Sequence, residues 1–252
     1  MRVALLFDGD QRDVAIATLG VLTREVKATV PVACEVKSHE KTCCGIPMGR
    51  WFAKRVAGKS DRRSLALEPA LRAGGMLDCS LAEACEKAGT KRMKCADVND
   101  DGVLLELSSQ DLNFVVRLSH VGDALTLAPL ATHGLISIHT GDYPHVAGED
   151  GARWALMRGA KPSVVATRTP AWVEFDEPCE PIVRKQAKCA TAGFEECFGE
   201  LDALAVACVK EAVVTTMRDS DAVVGALLDR PPSRPGKMAQ PLVEVLEAWA
   251  GK

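Results

Sequence analysis

Short apolar runs that alternate with helix-length amphipathic stretches constrain this chain more than any other feature. Val3 to Phe7 is an unbroken apolar run of strand length, and Ala15, Leu19, Leu22 and Val26 then recur at spacings that line one face of a helix. Val30 to Val36 reads as a second strand, the segment 50–95 as helical, and Val103 to Leu107 as a strand. The order resumes with strand-like Leu135 to His139, a helical stretch over 149–159, and strand-like Val164 to Thr167 and Trp172 to Phe175. Leu201, Leu204, Ala205, Cys208 and Ala212 mark another helix face, before strand-like Val213 to Thr216 and a closing apolar segment from Leu242 to Trp249. Alternation of this kind predicts an α/β protein with a mainly parallel sheet flanked by helices.

The landmarks recur in order, which predicts two pseudo-symmetric lobes. The run Val3 to Asp10 answers to Ile136 to Asp142, and Val103 to Asp111 answers to Val213 to Asp221. The turn at Cys43-Cys44 answers to the one at Cys179. The expected division is a first lobe over 1–130, carrying an insertion at about 50–95, and a second over 131–252.

Composition narrows the class of partner. The 252 residues are 47% hydrophobic and 26% charged, with a formal net charge of −3. No global basic field invites nucleic acid or an anionic membrane. No apolar run reaches the roughly 18 residues a membrane helix needs. The opening apolar run is too short for a signal peptide, so a cytoplasmic protein without a membrane span is expected. Phosphate-cradling glycine loops, nucleophile elbows and the His-Glu-x-x-His zinc motif do not occur in the sequence.

Ten cysteines are many for such a chain, yet no two stand in a Cys-x-x-Cys spacing. Cys208, on an apolar helix face, and Cys85 read as core packing. Cys34, His39, Cys43 and Cys44 lie close in sequence but match no standard zinc spacing. His139 and His145 flank Asp142, an arrangement able either to ligate metal or to move protons.

The turn Thr42-Cys43-Cys44-Gly45-Ile46-Pro47, the opening strand, Ala17 to Leu22, the strand Ile136 to His139 and the closing Val243 to Trp249 together resemble the cysteine-rich CCG-domain family. Its members include iron–sulfur proteins of lactate utilisation and the cysteine-rich component of heterodisulfide reductase. The resemblance implies cysteine thiolates gathered at strand ends around iron–sulfur clusters. This chain departs from that pattern, with Asp10, Asp111, Asp142 and either Asp219 or Asp221 where cysteines belong, and a single Cys179 for the second doublet.

Two readings follow. In one, the clusters were lost or altered, and the chain serves as scaffold or electron-transfer accessory beside other subunits of a redox complex. In the other, it is an independent metal-binding protein or metalloenzyme. The resemblance places candidate cofactor contacts at Cys43, Cys44 and Gly45. Candidate metal ligands are Asp10, Cys43, Cys44, Asp111, Asp142, Cys179 and Asp221, holding a cluster, a zinc or iron ion, or nothing. A vicinal disulfide at Cys43-Cys44 is the weakest alternative, because adjacent cysteines bridge only with strain.

Overall fold

The computed structural model describes residues 1–37, 42–43, 46–47, 60–119, 121–141, 151–152, 155, 160–171, 181–188 and 194–228. Strand β1 (Val3–Asp8) is buried at every residue but the last. Such a run, without polar alternation, is what a strand covered on both faces requires. A short 3-10 turn (Gly9–Gln11) leads directly into α1 (Arg12–Arg24), whose buried stripe runs from Val14 to Leu22. Strand β2 (Val32–Val36) is again wholly buried. The chain continues through a two-residue pair, β3 (Thr42–Cys43) and β4 (Ile46–Pro47), to α2 (Ser60–Gly74) and α3 (Leu81–Ala88). Helix α3 opens on a reciprocal cap, with Ser80 Oγ accepting from Glu83 N–H and the Glu83 carboxylate accepting from Ser80 N–H.

Strand β5 (Lys91–Cys95), α4 (Asp101–Ser108), β6 (Phe114–Arg117), α5 (Ala124–Leu127), β7 (Leu135–Gly141), β8 (Ser163–Thr169), β9 (Pro181–Gln186) and α6 (Phe194–Leu228) complete the described elements. Seven strands form one sheet in the order β5-β2-β1-β6-β7-β8-β9. The first five run parallel, and β8 and β9 are antiparallel to their neighbours. The α/β class with a mainly parallel sheet and helical cover is therefore as expected. The strands assigned to the two halves, β1 and β7, flank the same strand β6 within this one sheet. Residues 1–216 make one compact unit and 217–252 another. No described helix is long and apolar enough to cross a membrane.

The pleat sends alternate side chains to two separate cores. Ala4, Leu6, Val32, Cys34, Val115 and Leu135 face one side, where Val103 and Leu107 of α4 and Leu127 of α5 complete an apolar cluster. The other face receives α1, because Glu35, on that side of β2, is bonded by Arg12 at the start of the helix. Helix α1 meets α2 at two glycines. A Cβ built on Gly20 would lie 2.9 Å from Gly74 Cα, so only hydrogen at these positions allows the backbones to approach so closely.

Two expected strands are helical. Val103 to Leu107 lies within α4, whose Leu-Leu-Glu-Leu core is made of strong helix formers behind an acidic first turn. Val213 to Thr216 is β-branched throughout, yet it lies within α6, where Ala212, Val213 and Thr216 are buried. Tertiary packing there overrides local preference. Strands β5, β6 and β9 have no counterpart in the sequence reading: β5 is cationic, β6 has only four residues, and β9 is half exposed. The expected strand Trp172 to Phe175 and the closing segment Leu242 to Trp249 lie outside the described residues.

Candidate functional site

In an open parallel sheet, the crevice for a ligand forms at the carboxyl ends of strands where the winding reverses. The chain leaves β1 through α1 to β2 and β5 on one side, then crosses to β6 on the other, so the reversal lies between β1 and β6. The residues at that edge are polar. Asp8 ends β1, and its backbone N–H donates to Ser119 Oγ, just past β6, at 3.2 Å. The Asp8 carboxylate accepts from the Asp10 N–H at 2.9 Å, capping the turn that opens α1.

Strand β7 extends the same polar edge. Arg117 pairs in register with Leu6 on one side and Ser137 on the other, and Ser137 pairs with Thr167. Asp8, Ser119 and His139 each stand two residues beyond a member of that row, hence on the same face. Arg117 Nε donates to Ser137 Oγ at 2.7 Å, and Nη1 donates to the Gly122 carbonyl at 2.9 Å. His139 Nε2 lies 2.9 Å from Thr167 Oγ1, which fixes the ring across the β7–β8 pair. Both Ser119 and His139 are buried at 8% exposure, so this histidine sits in a wall of the site rather than on a surface loop.

On the opposite face, Glu35 anchors the start of α1. Its carboxylate accepts from Arg12 Nε at 2.6 Å through one oxygen and from Arg92 Nη2 at 2.9 Å through the other. Burial works to raise its pKa, but the hydrogen bonds from Arg92 and Arg12 prevail and hold it below the usual carboxylate value. Two shallow hollows, of about 370 and 440 Å³, adjoin Leu77, Asp78 and Cys79 on the helical layer. No strand residue lines either, so neither belongs to the sheet edge.

Of the sequence-derived ligands, the structure describes Asp10 and Asp111 with their side chains, and it does not bring these two together. Asp10 lies beyond the carboxyl end of β1, whereas Asp111 precedes the amino end of β6, and these strands run parallel with Val3 opposite Phe114. Asp10 and Asp111 therefore do not share one ion, as the mixed Asp10/Cys43/Cys44/Asp111 site requires. The physical reason is that Asp111 follows a helix, α4, rather than the strand assigned to Val103–Leu107. Cys43 belongs to β3, and Asp219 and Asp221 fall within α6. Cys44, Gly45, Asp142 and Cys179 lie outside the described residues, as do His39 and His145. Among the described residues, no three His, Cys, Asp or Glu side chains converge as a metal-holding group. Cys34 points into the apolar cluster, where its Sγ lies 3.4 Å from Cys95 Sγ. Cys85 and Cys208 are buried as expected of core residues, and Cys197 is disulfide-bonded.

His139 is absent from that ligand set. Its signal is present in the sequence nonetheless: Ile136-Ser137-Ile138-His139 puts polar groups on alternate residues of an otherwise apolar run, aiming both at one face.

No protein-family model matches the chain, and no curated protein sequence matches it. Solved structures do. Phosphoribosylglycinamide formyltransferase from Anaplasma phagocytophilum is 12% identical, with a TM-score of 0.56 over 86% of this chain and 87% of that one. The enzyme of the same name from Bacillus halodurans is 12% identical, with a TM-score of 0.56 over 87% and 97%. Glycinamide ribonucleotide transformylase 1 from Symbiobacterium toebii is 14% identical, with a TM-score of 0.53 over 86% and 88%. At such identities the likeness is one of fold.

These findings correct the family resemblance. The seven-stranded sheet is shared with formyltransferases, not with the cysteine-rich CCG-domain proteins, whose cluster ligands the chain was expected to have lost. The reading as a redox-complex subunit with an iron–sulfur-like, electron-transfer role falls with it, and so does the independent metal-binding alternative.

Proposed function

We propose that the chain is a group-transfer enzyme that moves a formyl unit to an amine, with His139 as its proton-transfer residue. The observation that carries this reading is the place of His139: buried, held by Thr167, and level with Asp8 and Ser119 at the winding reversal of a formyltransferase-like sheet. Formyl transfer asks for few groups. The amine nitrogen attacks the formyl carbon, its proton leaves to a base, and the carbonyl oxygen carries negative charge until the bond to the donor breaks. A neutral imidazole accepts that proton and returns it to the departing donor atom. In this reading the Ser119 hydroxyl, which accepts from the Asp8 N–H, donates its own proton to the developing oxyanion. Arg117, held by Ser137 and Gly122 one row below, adds positive charge beneath it.

The test is formyl transfer from formyltetrahydrofolate to a panel of primary amines, followed by mass spectrometry of the product. His139→Asn is expected to lower turnover by about 10²- to 10⁴-fold while the folded state persists. Full activity in that variant overturns the assignment of His139, and no transfer to any amine overturns the function.

A further inference from the structure

Away from the sheet edge, a thiol and an amine stand in contact on the helical layer. Lys87 Nζ, in the last turn of α3, donates to Cys79 Sγ at 3.0 Å. The same sulfur is directed at the Leu77 carbonyl, 3.7 Å away, so it is oriented from two sides of the chain. Cys79 is partly exposed and Lys87 exposed. Both line the hollow of about 370 Å³, and Cys79 also lines the adjoining one of about 440 Å³, so a small reagent reaches the sulfur. The hydrogen bond to Cys79 raises the Lys87 pKa, which keeps the amine protonated, and hence a poor nucleophile, as long as the sulfur accepts from it.

We propose that Cys79 and Lys87 form an acyl relay, in which Cys79 takes an acyl group from a small acyl thioester and passes it to Lys87, the residue that ends up modified. The Cys79 thiolate attacks the thioester carbonyl, the C–S bond of the donor breaks, and the donor leaves as a thiolate. Acylated sulfur carries no charge to hold the Lys87 ammonium, which gives one proton to the departing thiolate. The neutral amine then attacks the carbonyl carbon, the bond from that carbon to Cys79 Sγ breaks, and the second amine proton passes to the sulfur. The products are an amide on Lys87, the donor's thiol and a regenerated Cys79. Contact between the two groups makes this second step intramolecular, which is its advantage over direct attack on the donor by any other surface lysine. Asp78, Glu83 and Glu86 border the same hollow, so the donor that fits is one without an anionic handle. The relay is separate from the sheet edge and does not depend on formyl transfer there.

The probe is S-acetyl-N-acetylcysteamine, an uncharged acetyl thioester, incubated with the full chain at neutral pH and followed by peptide mass spectrometry. Hydroxylamine treatment of a parallel sample separates thioesters, which it cleaves, from amides, which it leaves. In the wild type, Lys87 is expected to gain its acetyl group at least about tenfold faster than the exposed Lys27 and Lys161, which serve as internal controls. Cys79→Ser is expected to bring Lys87 down to the rate of those controls. Lys87→Arg keeps the positive charge but removes the acceptor, and is expected to leave the acetyl group on Cys79 as a hydroxylamine-sensitive thioester. Circular dichroism reports whether each variant is folded, and the Lys27 and Lys161 rates, unchanged across all three proteins, correct for differences in reagent. Lys87 acetylation no faster than the controls in the wild type overturns the relay. So does a rate at Lys87 that survives in Cys79→Ser, or a folded Lys87→Arg chain with no thioester on Cys79.

Discussion

Asp10 and Asp111 stand at opposite edges of one sheet. Strand β1 runs from Val3 to Asp8 with Val3 opposite Phe114, so one carboxylate lies past the far end of the pair and the other before its near end. A six-residue strand at roughly 3.3 Å per residue separates them by about 20 Å. Residues that far apart do not share an ion or a hydrogen-bond network. The destabilisations of Asp10→Ala and Asp111→Ala are accordingly expected to add, with a coupling below about 0.5 kcal/mol in a double-mutant cycle read by urea unfolding. Coupling well above that figure would restore a common site.

Gly20 is expected to tolerate no side chain. Its Cβ would stand 2.9 Å from Gly74 Cα and 2.8 Å from Met76 Cγ, and the first of these is backbone that cannot rotate away. Gly20→Ala therefore forces α1 and α2 apart and is expected to cost about 1–3 kcal/mol, although alanine is the better helix former. Thermal unfolding of the variant decides; a raised melting temperature would mean the helices separate without loss.

How much of the fold is legible from residues alone depends on what each signal measures. Hydrophobic runs report burial, so β1, β2, β7 and β8, buried on nearly every residue, stand out, as does the apolar stripe of α1. They do not separate a buried strand from a buried helix, which is why Val103–Leu107 and Val213–Thr216 read as strands and fold as helices. One of the three correspondences behind the apparent repeat pairs those two segments, and it draws Asp111 and Asp221 into strand-end positions that helices occupy. Cysteine placement misleads in a similar way. Cys34 and Cys95 meet across β2 and β5 as small apolar residues facing a core, which spacing along the chain does not reveal. The edge made by Asp8, Ser119 and His139 unites three strands distant in sequence, and only the strand order brings them level.

The free cysteines among the described residues divide by exposure. Cys34, Cys85, Cys95 and Cys208 are buried, and desolvation raises the pKa of each thiol, whereas Cys79 is partly exposed and its Sγ accepts from Lys87 Nζ at 3.0 Å. Thiolate, not thiol, reacts with alkylating agents. In a short iodoacetamide pulse at neutral pH, Cys79 is expected to label first of these five, and the other four only in step with global unfolding. Peptide mass spectrometry gives the order, and early labelling of Cys34 or Cys95 would show that the β2–β5 edge opens locally.

Glu35 sets an acid limit on the attachment of α1. Its pKa is lowered in the folded chain, since the hydrogen bonds of Arg92 and Arg12 outweigh the burial that would raise it. A depressed carboxylate contributes stability that is complete above its unfolded value, about 4.3, and is lost as pH falls through the lower folded value. Glu35→Gln keeps the shape but not the charge, and is expected to destabilise by about 1.5–3 kcal/mol at neutral pH, the range for hydrogen bonds to charged groups. The gap between wild type and variant should hold steady down to about pH 5 and close below about pH 4, as the wild-type carboxyl takes up its proton. Urea unfolding at a series of pH values measures that gap. A difference that stayed constant into the acid range would assign the cost to packing and remove the charge of Glu35 from the account.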